Sequence, residues 1–420
     1  MKLTQTSQKL FFPGKNVSSD KKNLDILAVI LDVGLTIDNS SVFQSQVLDN
    51  LNSLRRNGYS VGILCVYHDK KRLLDLVNKS FENAEVKLFY QKDKGLVKNL
   101  FFISRKLRQI QSEIKISNAY VRGIWGALSI LMANPFLPIK YIYDVRGDLE
   151  SEMKSINTNK FKLRIYLFLE KMLISKSRYV SVVSSKLKKL VSKKINHNKE
   201  IFVIPSCVIF ENFRITQNEK ESFKKELNIS EEDLVILYSG GLSHYQKVPE
   251  MLNLWKKIDK DLVGLKFIFL SNLDPHSLPY ALSETIKSNP SLRVLSFERE
   301  KILKILSIAD IAFLLRDNNE INRHASPVKF AEYISSGLGI ISSPGIGDVS
   351  ENIEKNKIGY LISPTPEEAE YFKLLDFIKN FKIIKKNVSV NSKKLAKSNY
   401  DWNSHLEKQK KMFGKPSLNS

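Results

Sequence analysis

The sequence predicts an α/β protein with two Rossmann-like, doubly wound domains that face each other across a cleft. Short apolar runs recur along its 420 residues, and most are near-continuous in Ile, Leu, Val and Tyr. Such runs are typical of parallel strands buried on both faces of a sheet. Helix-length segments separate them, and repeated strand–helix alternation builds a doubly wound sheet. The length favours two domains of roughly 200 residues over a single core.

The first half contains seven strand-like runs, and the pattern then restarts with six more. The first set covers 24–33, 59–68, 85–91, 118–123, 140–146, 178–184 and 201–205. The second set covers 235–239, 266–271, 292–297, 311–316, 339–343 and 359–363. The polar segment 211–233 between them suits a linker and a new first helix. We therefore predict one domain over 1–212 and a second over 213–399, with a terminal helix at 400–414 packing back on the first.

Basic residues exceed acidic ones mainly in the first half. Lys and Arg total 66 against 44 Asp and Glu, a net charge of +22, and residues 1–212 hold 35 of the basic and 18 of the acidic side chains. Such an excess attracts an anionic partner. The basic stretches 96–109 and 159–178 also carry aromatics, which suits an anionic membrane surface. A solvated lysine-rich face that packs its aromatics inward would give the same pattern.

The composition excludes a collagen, a coiled coil and a largely disordered chain. The apolar share of 43% and the charged share of 26% are ordinary for a globular chain. The two cysteines, Cys65 and Cys207, lie in or beside apolar runs and are predicted to be buried thiols. The longest uncharged stretch, 123–139, includes two prolines and predicts a short buried helix plus a loop. With no signal-peptide pattern, we expect a cytoplasmic protein that is at most peripheral on the inner face of the cytoplasmic membrane. The six histidines lack metal-binding spacing, so no tightly bound metal or cofactor is predicted.

Two glycines follow the first strand of the predicted second domain. Gly240 and Gly241 come directly after the run 235–239, and a helix is expected to begin near Pro249. Glycines allow close approach of the backbone to a ligand, and N–H groups near a helix start favour phosphate. Lys247 in the same loop could add a side-chain contact. A plain tight turn has the same signature.

Ser326 and Pro327 predict the start of a helix whose positive end could meet an anion. Ser326 suits the N-cap and Pro327 the first helical position, with Val328 next. Lys329 in the first turn is electrostatically unfavourable unless an anion such as a diphosphate is bound. Glu332 could accept two vicinal hydroxyls of a ribose. An ordinary capped helix with a solvated Lys and Glu is the alternative.

Small and charged residues end three predicted strands of the first half. Gly34 follows the first run, Arg122 ends a later one, and Asp144 and Arg146 end another. In open α/β sheets ligands bind beyond the carboxyl ends of the strands. Charges there cost free energy unless they are paired or solvated. An internal Asp–Arg ion pair and an acceptor-side function both remain open.

The second half resembles the retaining GT-B glycosyltransferases of family 4, of the bacterial surface-polysaccharide type. The residues that carry the resemblance are ILYSGGLSHYQK and RDNNEINRHASPVKFAEYISSGLGIISSPGIGDVSENIEKNKIGYLI, with AYVRG, IYDVRGDLESE, YVSVVSS and IFVIPSCV similar to the acceptor domain. The resemblance implies that Lys247 contacts the donor diphosphate and that the backbone around Pro327–Lys329 cradles it. It also implies that Glu332 holds the ribose and that Gly34 lies under the acceptor or the donor phosphate.

The chain departs from the family pattern at several positions. Gly241 stands where an Arg is common, and His324 stands eight residues before Glu332 where an acid is common. A His often follows the strand that here ends in Arg122. We expect His324 to face the donor sugar, and we name His324, Asp144 and Arg122 as catalytic candidates. The leaving diphosphate would be neutralised by Lys247 and the helix end at Ser326, with Arg316 as a further candidate.

These features together predict a glycosyltransferase. It would move a sugar from a UDP- or GDP-sugar, its substrate, to a glycan or lipid-linked acceptor in cell-surface polysaccharide synthesis, and retention is expected from the resemblance alone. A sugar-nucleotide epimerase of the same fold is the alternative enzyme. A non-catalytic basic protein that binds membrane or nucleic acid is the alternative from another class. No RNA-binding signature is present, so no nucleic-acid partner is predicted.

Overall fold

Two compact units make up the chain in the computed structural model. The described residues are 23–31, 41–81, 84, 86–133, 139–195, 199–271, 284, 289–296 and 299–417. Met1–Val208 and Trp402–Ser420 form the first unit, and Ile209–Asp401 forms the second. The chain therefore returns to the first unit only for its last helix.

The first unit is built on a seven-stranded, all-parallel sheet. Its strands are β1 (Asn23–Ile30), β2 (Val61–Tyr67), β3 (Lys87–Lys92), β4 (Lys115–Arg122), β5 (Tyr141–Val145), β6 (Tyr179–Val182) and β7 (Ile201–Val203). The sheet order is β3-β2-β1-β4-β5-β6-β7. In the central β1, Leu24 and the residues 26–30 are at most 1% exposed, as expected for a strand covered by helices on both faces. All seven strands predicted for the first half are present.

Helices cover both faces of this sheet. They are Ser41–Phe43, Asp49–Arg56, Lys70–Phe81, Leu96–Glu113, Gly123–Ala133, Leu149–Ser155, Lys160–Lys176, Ser185–Lys194 and Leu406–Phe413, with a π-helical turn at Gln44–Leu48. Local polar residues start two of them. The Asn159 side chain accepts a hydrogen bond from the Phe161 N–H, and the Ser184 side chain accepts one from the Leu187 N–H. The first part of the uncharged stretch forms the helix Gly123–Ala133, as predicted, while residues 134–138, where the predicted loop would fall, lie outside the described residues.

The C-terminal segment is fastened to the first unit by buried hydrogen bonds. Trp402 is 1% exposed, and its indole Nε1 donates to the Ser45 carbonyl oxygen at 3.2 Å. Asn118 Nδ2 donates to the Phe413 carbonyl oxygen at 2.7 Å. Tyr59 Oη donates to the Gly414 carbonyl oxygen at 2.7 Å. Burial of Trp402 and satisfaction of these polar groups hold the last helix in place.

The second unit repeats the architecture with a six-stranded, all-parallel sheet. Its strands are β8 (Leu234–Ser239), β9 (Leu265–Leu270), β10 (Leu292–Leu295), β11 (Ile311–Leu314), β12 (Gly339–Ser342) and β13 (Gly359–Leu361). The order is β10-β9-β8-β11-β12-β13. All six strands predicted for the second half are present, so the predicted fold class of two Rossmann-like sheets is confirmed.

Helices also alternate with the strands of the second unit. They are Gln217–Glu226, Val248–Asp261, Arg299–Ile308, Glu320–His324, Val328–Ser336, Val349–Asn356, Glu368–Lys379 and Phe381–Leu395. The first starts at a capping box in which Thr216 and Glu219 satisfy each other's backbone N–H groups. The core is aromatic: the Trp255 and Phe267 rings lie 5.0 Å apart, and those of Phe267 and Phe313 lie 5.8 Å apart.

Trp402→Ala should lower the free energy of unfolding of the first unit by about 3–5 kcal/mol, because it removes a fully buried indole and leaves a cavity. Trp402→Phe keeps most of the apolar volume and should cost clearly less. Urea unfolding of both variants and the wild type measures the difference. Equal stabilities for the Ala variant and the wild type would show that Trp402 does not anchor the C-terminal segment.

Candidate functional site

The carboxyl ends of β8 and β11 lie side by side in the second sheet. Ile236 pairs with Ile311 and Leu237 with Ala312, while the strand order reverses direction between these two strands. Ligands of open α/β sheets bind at such a switch point. The loop that starts at Gly240 leaves β8 here.

Lys329 projects into this switch point from the first turn of the helix Val328–Ser336. Its Nζ hydrogen-bonds Oε1 of Gln246 and lies 4.8 Å from the centre of the Tyr238 ring. Burial, followed by the positive charge of Arg316, lowers the pKa of Lys329 to about 7, while the Glu332 carboxylate opposes the shift. The site therefore holds a lysine whose charge an incoming anion would restore.

Gly240 is required by the close approach of Lys329. A Cβ at Gly240 would overlap the Lys329 ammonium and lie 2.7 Å from Lys329 Cε and 3.0 Å from Tyr238 Oη. A Cβ at Gly241 would have nothing within 4 Å. The two glycines thus differ in kind, since the first makes room for a side chain of the protein and the second faces open space.

Arg316 follows β11 and is held by a buried serine. Its backbone N–H donates to Ser343 Oγ and its carbonyl oxygen accepts from the same hydroxyl, both at 2.7 Å. The guanidinium Nη1 donates to Asn322 Oδ1 at 3.3 Å, and its carbon lies 5.3 Å from the centre of the Tyr245 ring. Its buried Nε has no hydrogen-bond partner among the described residues. Burial lowers the pKa of Arg316, so the group would gain from an acceptor.

Lys247 is engaged by carboxylates that sequence reasoning did not single out. Its Nζ lies 2.8 Å from Glu250 Oε1 and 2.8 Å from Asp317 Oδ1. Hydrogen bonds to Asp317 and then to Glu250 raise the pKa of Lys247. The predicted diphosphate contact therefore requires Lys247 to exchange these partners. Asp317 follows Arg316 at the end of β11, which is the one sequence signal that could have found it.

Asn322 is a second residue that the sequence analysis missed. It is 2% exposed, and its Nδ2 donates to the Asp317 carbonyl oxygen at 2.9 Å while its Oδ1 accepts from Arg316. Its own carbonyl oxygen accepts from the Gly347 N–H at 2.9 Å. A Cβ at Gly347 would overlap the Ala325 carbonyl oxygen. One buried amide thus fixes the loop with Arg316 and Asp317 against the segment that leads into the helix Val328–Ser336.

The start of that helix differs by one residue from the prediction. Ser326 was expected at the N-cap and Pro327 in the first turn. Instead Pro327 is the N-cap, with φ −69° and ψ 127°, and the helix begins at Val328. The prediction was wrong because the proline ring fixes φ, which suits both positions, but leaves ψ to the surrounding structure. Ser326 precedes the cap, and the Pro327 carbonyl oxygen accepts from the Phe330 N–H at 3.1 Å.

Glu332 lies on the same helix as Lys329, whereas His324 lies on the preceding short helix. Glu332 is half-buried on the helix of Lys329, close enough to influence that ammonium electrostatically. His324 ends the short helix Glu320–His324, and its Nδ1 lies 2.9 Å from the Glu320 carbonyl oxygen. The structure thus brings Gly240, Arg316, Lys329 and Glu332 into electrostatic or steric contact. The roles assigned to Glu332 and His324 stay predictions.

In the first unit, Asp144 and Arg122 occupy paired positions on neighbouring strands. They are 2% and 7% exposed and align in the β4–β5 register. Asp144 Oδ2 lies 3.7 Å from Arg146 Nη1, and Arg146 Nη2 donates to Gln46 Oε1 at 2.8 Å and to Ser206 Oγ at 3.1 Å. An internal Asp–Arg ion pair is therefore present, which was one of the two interpretations left open.

The acceptor-side assignment is not decided by that ion pair. Asp144 Oδ1 is buried and has no hydrogen-bond partner among the described residues. Gly34, the remaining candidate in this unit, lies outside the described residues. Catalytic roles for Asp144 and Arg122 therefore stay predictions.

In the described part of the chain, no three or more His, Cys, Asp or Glu side chains are grouped so that they could hold a metal ion. No helix within the same residues has the length and apolarity needed to cross a membrane. Cys65 and Cys207 are both buried thiols that form no disulfide within the described residues, as predicted.

Residues 219–394, inside the second unit, match the family model described as glycosyl transferases group 1. No curated protein matches the chain by sequence. Solved structures match it by shape at low sequence identity. A glycosyltransferase from Rickettsia africae ESF-5 is 16% identical with a TM-score of 0.69, covering 95% of this chain and 100% of its own.

Two further solved structures that this chain resembles have a sugar nucleotide bound. Anabaena HepE in complex with UDP-glucose is 12% identical with a TM-score of 0.69, covering 91% of this chain and 97% of its own. UDP-GlcNAc 2-epimerase from Neisseria meningitidis, bound to UDP-GlcNAc, is 14% identical with a TM-score of 0.61, covering 93% and 99%. Identities this low establish a shared fold, and one fold serves several functions.

One lysine of the protein should titrate near pH 7 rather than near the ordinary value of 10.5, and its signal should disappear in Lys329→Met. NMR of ¹³Cε-labelled lysine measures this directly. Added sulfate should raise the pKa of Lys329, since an anion favours the charged form. Because the unfolded chain binds this proton more tightly, the free energy of unfolding should rise with pH from about 7 towards 10.5 relative to Lys329→Met. Titration of every lysine in the ordinary range would contradict the assigned environment.

Proposed function

We propose that this chain, whose residues 219–394 match the family model of glycosyl transferases group 1, is a glycosyltransferase that transfers a sugar from a UDP- or GDP-sugar. The acceptor we propose is a glycan or a lipid-linked saccharide of cell-surface polysaccharide synthesis. The observation that carries the donor proposal is the pair of cations, Arg316 and Lys329, at the β8–β11 switch point.

The two cations suit the diphosphate of a nucleotide sugar. The charge of Arg316 lowers the pKa of Lys329, and the buried Nε of Arg316 lacks an acceptor among the described residues. A diphosphate carries two negative charges and several acceptor oxygens, so it would restore the Lys329 proton and occupy the free donor. The same contacts would stabilise the charge that develops on the leaving nucleoside diphosphate. Contacts of this type are typically worth about 3 kcal/mol each in the transition state.

The remaining donor-site residues receive roles by their positions. Glu332 would accept hydrogen bonds from the ribose, since it lies near Lys329 on the same helix. Lys247 would leave Asp317 or Glu250 when a phosphate oxygen becomes available. His324 would face the transferred sugar. Retention of configuration and membership of family 4 are proposed from the sequence resemblance alone.

A sugar-nucleotide epimerase is the competing activity for this fold, as the Neisseria meningitidis structure illustrates. The match of residues 219–394 to a glycosyltransferase family favours transfer. The two activities also differ in their requirement for an acceptor. An epimerase would consume the nucleotide sugar with no second substrate, whereas transfer depends on one.

We propose further that the first unit brings the protein to an anionic membrane surface. Apolar side chains protrude along the helix Lys160–Lys176: Phe161, Ile165 and Phe168 are 73%, 42% and 68% exposed. Their spacing of four and three residues places them on one stripe of the helix. Phe101 on the helix Leu96–Glu113 is 62% exposed as well. A contiguous exposed apolar patch, such as this stripe, marks an interaction site more often than a single exposed residue does.

Basic residues flank this aromatic stripe. The helix Lys160–Lys176 carries five basic residues and one acid, Glu170, which is buried 3.8 Å from Lys194. Both basic helices pack beside the helix Gly123–Ala133. Aromatic residues that enter the interface and cations that meet anionic headgroups together favour a bilayer surface. A lipid-linked acceptor would be presented at such a surface.

Gly240→Ala and Lys329→Met should each lower transfer from the preferred nucleotide sugar by about 100-fold or more, because both remove the Lys329 contact with the diphosphate. Lys256→Met is the matched control and should stay within a few-fold of wild type, since it removes the same charge from an exposed position of the helix Val248–Asp261. Initial rates with radiolabelled UDP- and GDP-sugars, with and without acceptor, give the comparison. Near-normal turnover by Lys329→Met would show that the donor site lies elsewhere, and product formation without acceptor would favour the epimerase.

The protein should float with vesicles that contain phosphatidylglycerol and not with pure phosphatidylcholine, and salt should weaken the binding. Phe161→Ser with Phe168→Ser should reduce binding by about tenfold or more, because each inserted ring contributes about 1.5–3 kcal/mol. Phe372→Ser, a 52% exposed phenylalanine of the second unit, is the control and should bind like wild type. Equal flotation of the double variant, or binding of RNA in place of vesicles, would contradict the proposed surface.

A further inference from the structure

A second cationic pocket lies in the second unit, at the other end of the helix that carries Lys329. Its volume is about 300 Å³. The side chains that the argument uses are Phe210, Phe213, Lys220, Ser335 and Lys393. Ser335 belongs to the last turn of the helix Val328–Ser336, whereas Lys329 belongs to its first turn. This pocket is therefore separate from the proposed donor site.

Two half-buried lysines face this pocket without a carboxylate. Neither Lys220 nor Lys393 has a side-chain hydrogen bond or ion pair in the described part of the chain. Burial, followed by the charges of Lys393 and Lys385, lowers the pKa of Lys220. Neighbouring lysines are compensated: Lys385 pairs with Asp310 at 2.5 Å, and Lys224 pairs with Glu231 at 2.8 Å. Two unpaired, partly desolvated cations repel each other and destabilise the unoccupied pocket.

A buried hydroxyl in the same pocket is also unsatisfied. Ser335 is 1% exposed, and its Oγ has no hydrogen-bond partner among the described residues. The two other serines of the pocket use theirs, since Ser336 Oγ donates to the Glu332 carbonyl oxygen and Ser307 Oγ to that of Lys304. A buried hydroxyl without a partner costs free energy and calls for an acceptor.

The position of Lys393 is fixed by the glycine that ends the helix. Gly337 has φ +84°, and a Cβ there would overlap Ser389 Oγ and lie 2.7 Å from Lys393 Cε. The lysine stem therefore crosses the last turn of the helix Val328–Ser336, close to Ser335. This contact places one ammonium over the helix end, which its charge also favours. The contact with Gly337 does not explain why Lys220 also lines the pocket, because Lys220 belongs to another helix, Gln217–Glu226.

We propose that this pocket binds a phosphate monoester. Its two negative charges match the two ammonium groups, since the third cation of the lining, Arg214, is paired with Glu211 at 2.7 Å. A phosphate oxygen can also accept a hydrogen bond from the Ser335 hydroxyl. A carboxylate has one charge and would leave one lysine uncompensated. Phe210, Phe213 and Ile215 supply an apolar wall for the organic part of the ester. The site does not depend on the donor assignment, because it shares no residue with it.

Calorimetric titration of the full-length protein in low-salt buffer tests the proposal, with inorganic phosphate, phenyl phosphate and benzoate as probes. Phenyl phosphate should bind more tightly than inorganic phosphate, and benzoate at least about tenfold more weakly than phenyl phosphate. Lys220→Gln with Lys393→Gln should weaken phenyl phosphate by about 100-fold, as two charged contacts are lost. Lys225→Gln with Lys394→Gln removes the same charge from exposed positions of the same helices and should bind like wild type.

Three further measurements separate binding from a structural role. Without any phosphate, Lys220→Gln with Lys393→Gln should unfold at a higher temperature than its control, because repulsion is relieved. Ser335→Ala should leave stability unchanged or raised and weaken phenyl phosphate several-fold. Lys329→Met should retain this binding. Loss of all phosphate binding in Lys329→Met, or unchanged affinity in the double lysine variant, would overturn the proposal and leave the donor assignment untouched.

Discussion

The side-by-side ends of β8 and β11 are the constraint on which the polar features of the second unit depend. The reversal of strand order between them keeps the two following loops on separate paths, so neither covers the other. Arg316 leaves one strand and the Gly240 loop leaves the other, and Lys329 enters between them. Without parallel pairing of these strands, residues from positions 240, 316 and 329 would not meet.

The cations of the second unit fall into two electrostatic classes. Lys247, Lys224 and Lys385 are neutralised by carboxylates at 2.5–2.8 Å. Lys329, Lys220 and Lys393 lack such an ion pair in the described residues, and burial lowers the pKa of Lys329 and of Lys220. Surface ion pairs contribute little to stability, but an uncompensated, desolvated cation is costly. A chain retains such groups where an anion compensates them, which is why both proposals begin from lysines without carboxylates.

The charged groups of the first unit fall into a buried set and an exposed set. Some of its interior polar groups pair with each other, as Arg146 does with Asp144, Gln46 and Ser206. Its excess positive charge lies on helices whose outer faces also expose phenylalanine. Buried pairs fix the local geometry, while the exposed combination of cation and aromatic ring is the surface that we propose for an anionic membrane. Buried pairing and the proposed membrane-binding surface can therefore occur in the same unit.

The sequence by itself determined the thirteen strands and the fold class, because parallel strands buried on both faces need continuous apolar runs that few other structures produce. It also located the loops that end those strands, and so Gly240, Arg316 and Lys329. Only the tertiary structure decided which partners these side chains contact. Lys247 meets Asp317 and Glu250, Lys329 meets Gln246 across 83 positions, and Asn322 ties together segments that no periodicity connects. Pro327 became a cap because ψ is set by neighbours. Phe161 and Phe168 point outward although a basic aromatic helix could equally bury them, since only packing against the helix Gly123–Ala133 chooses which face is covered.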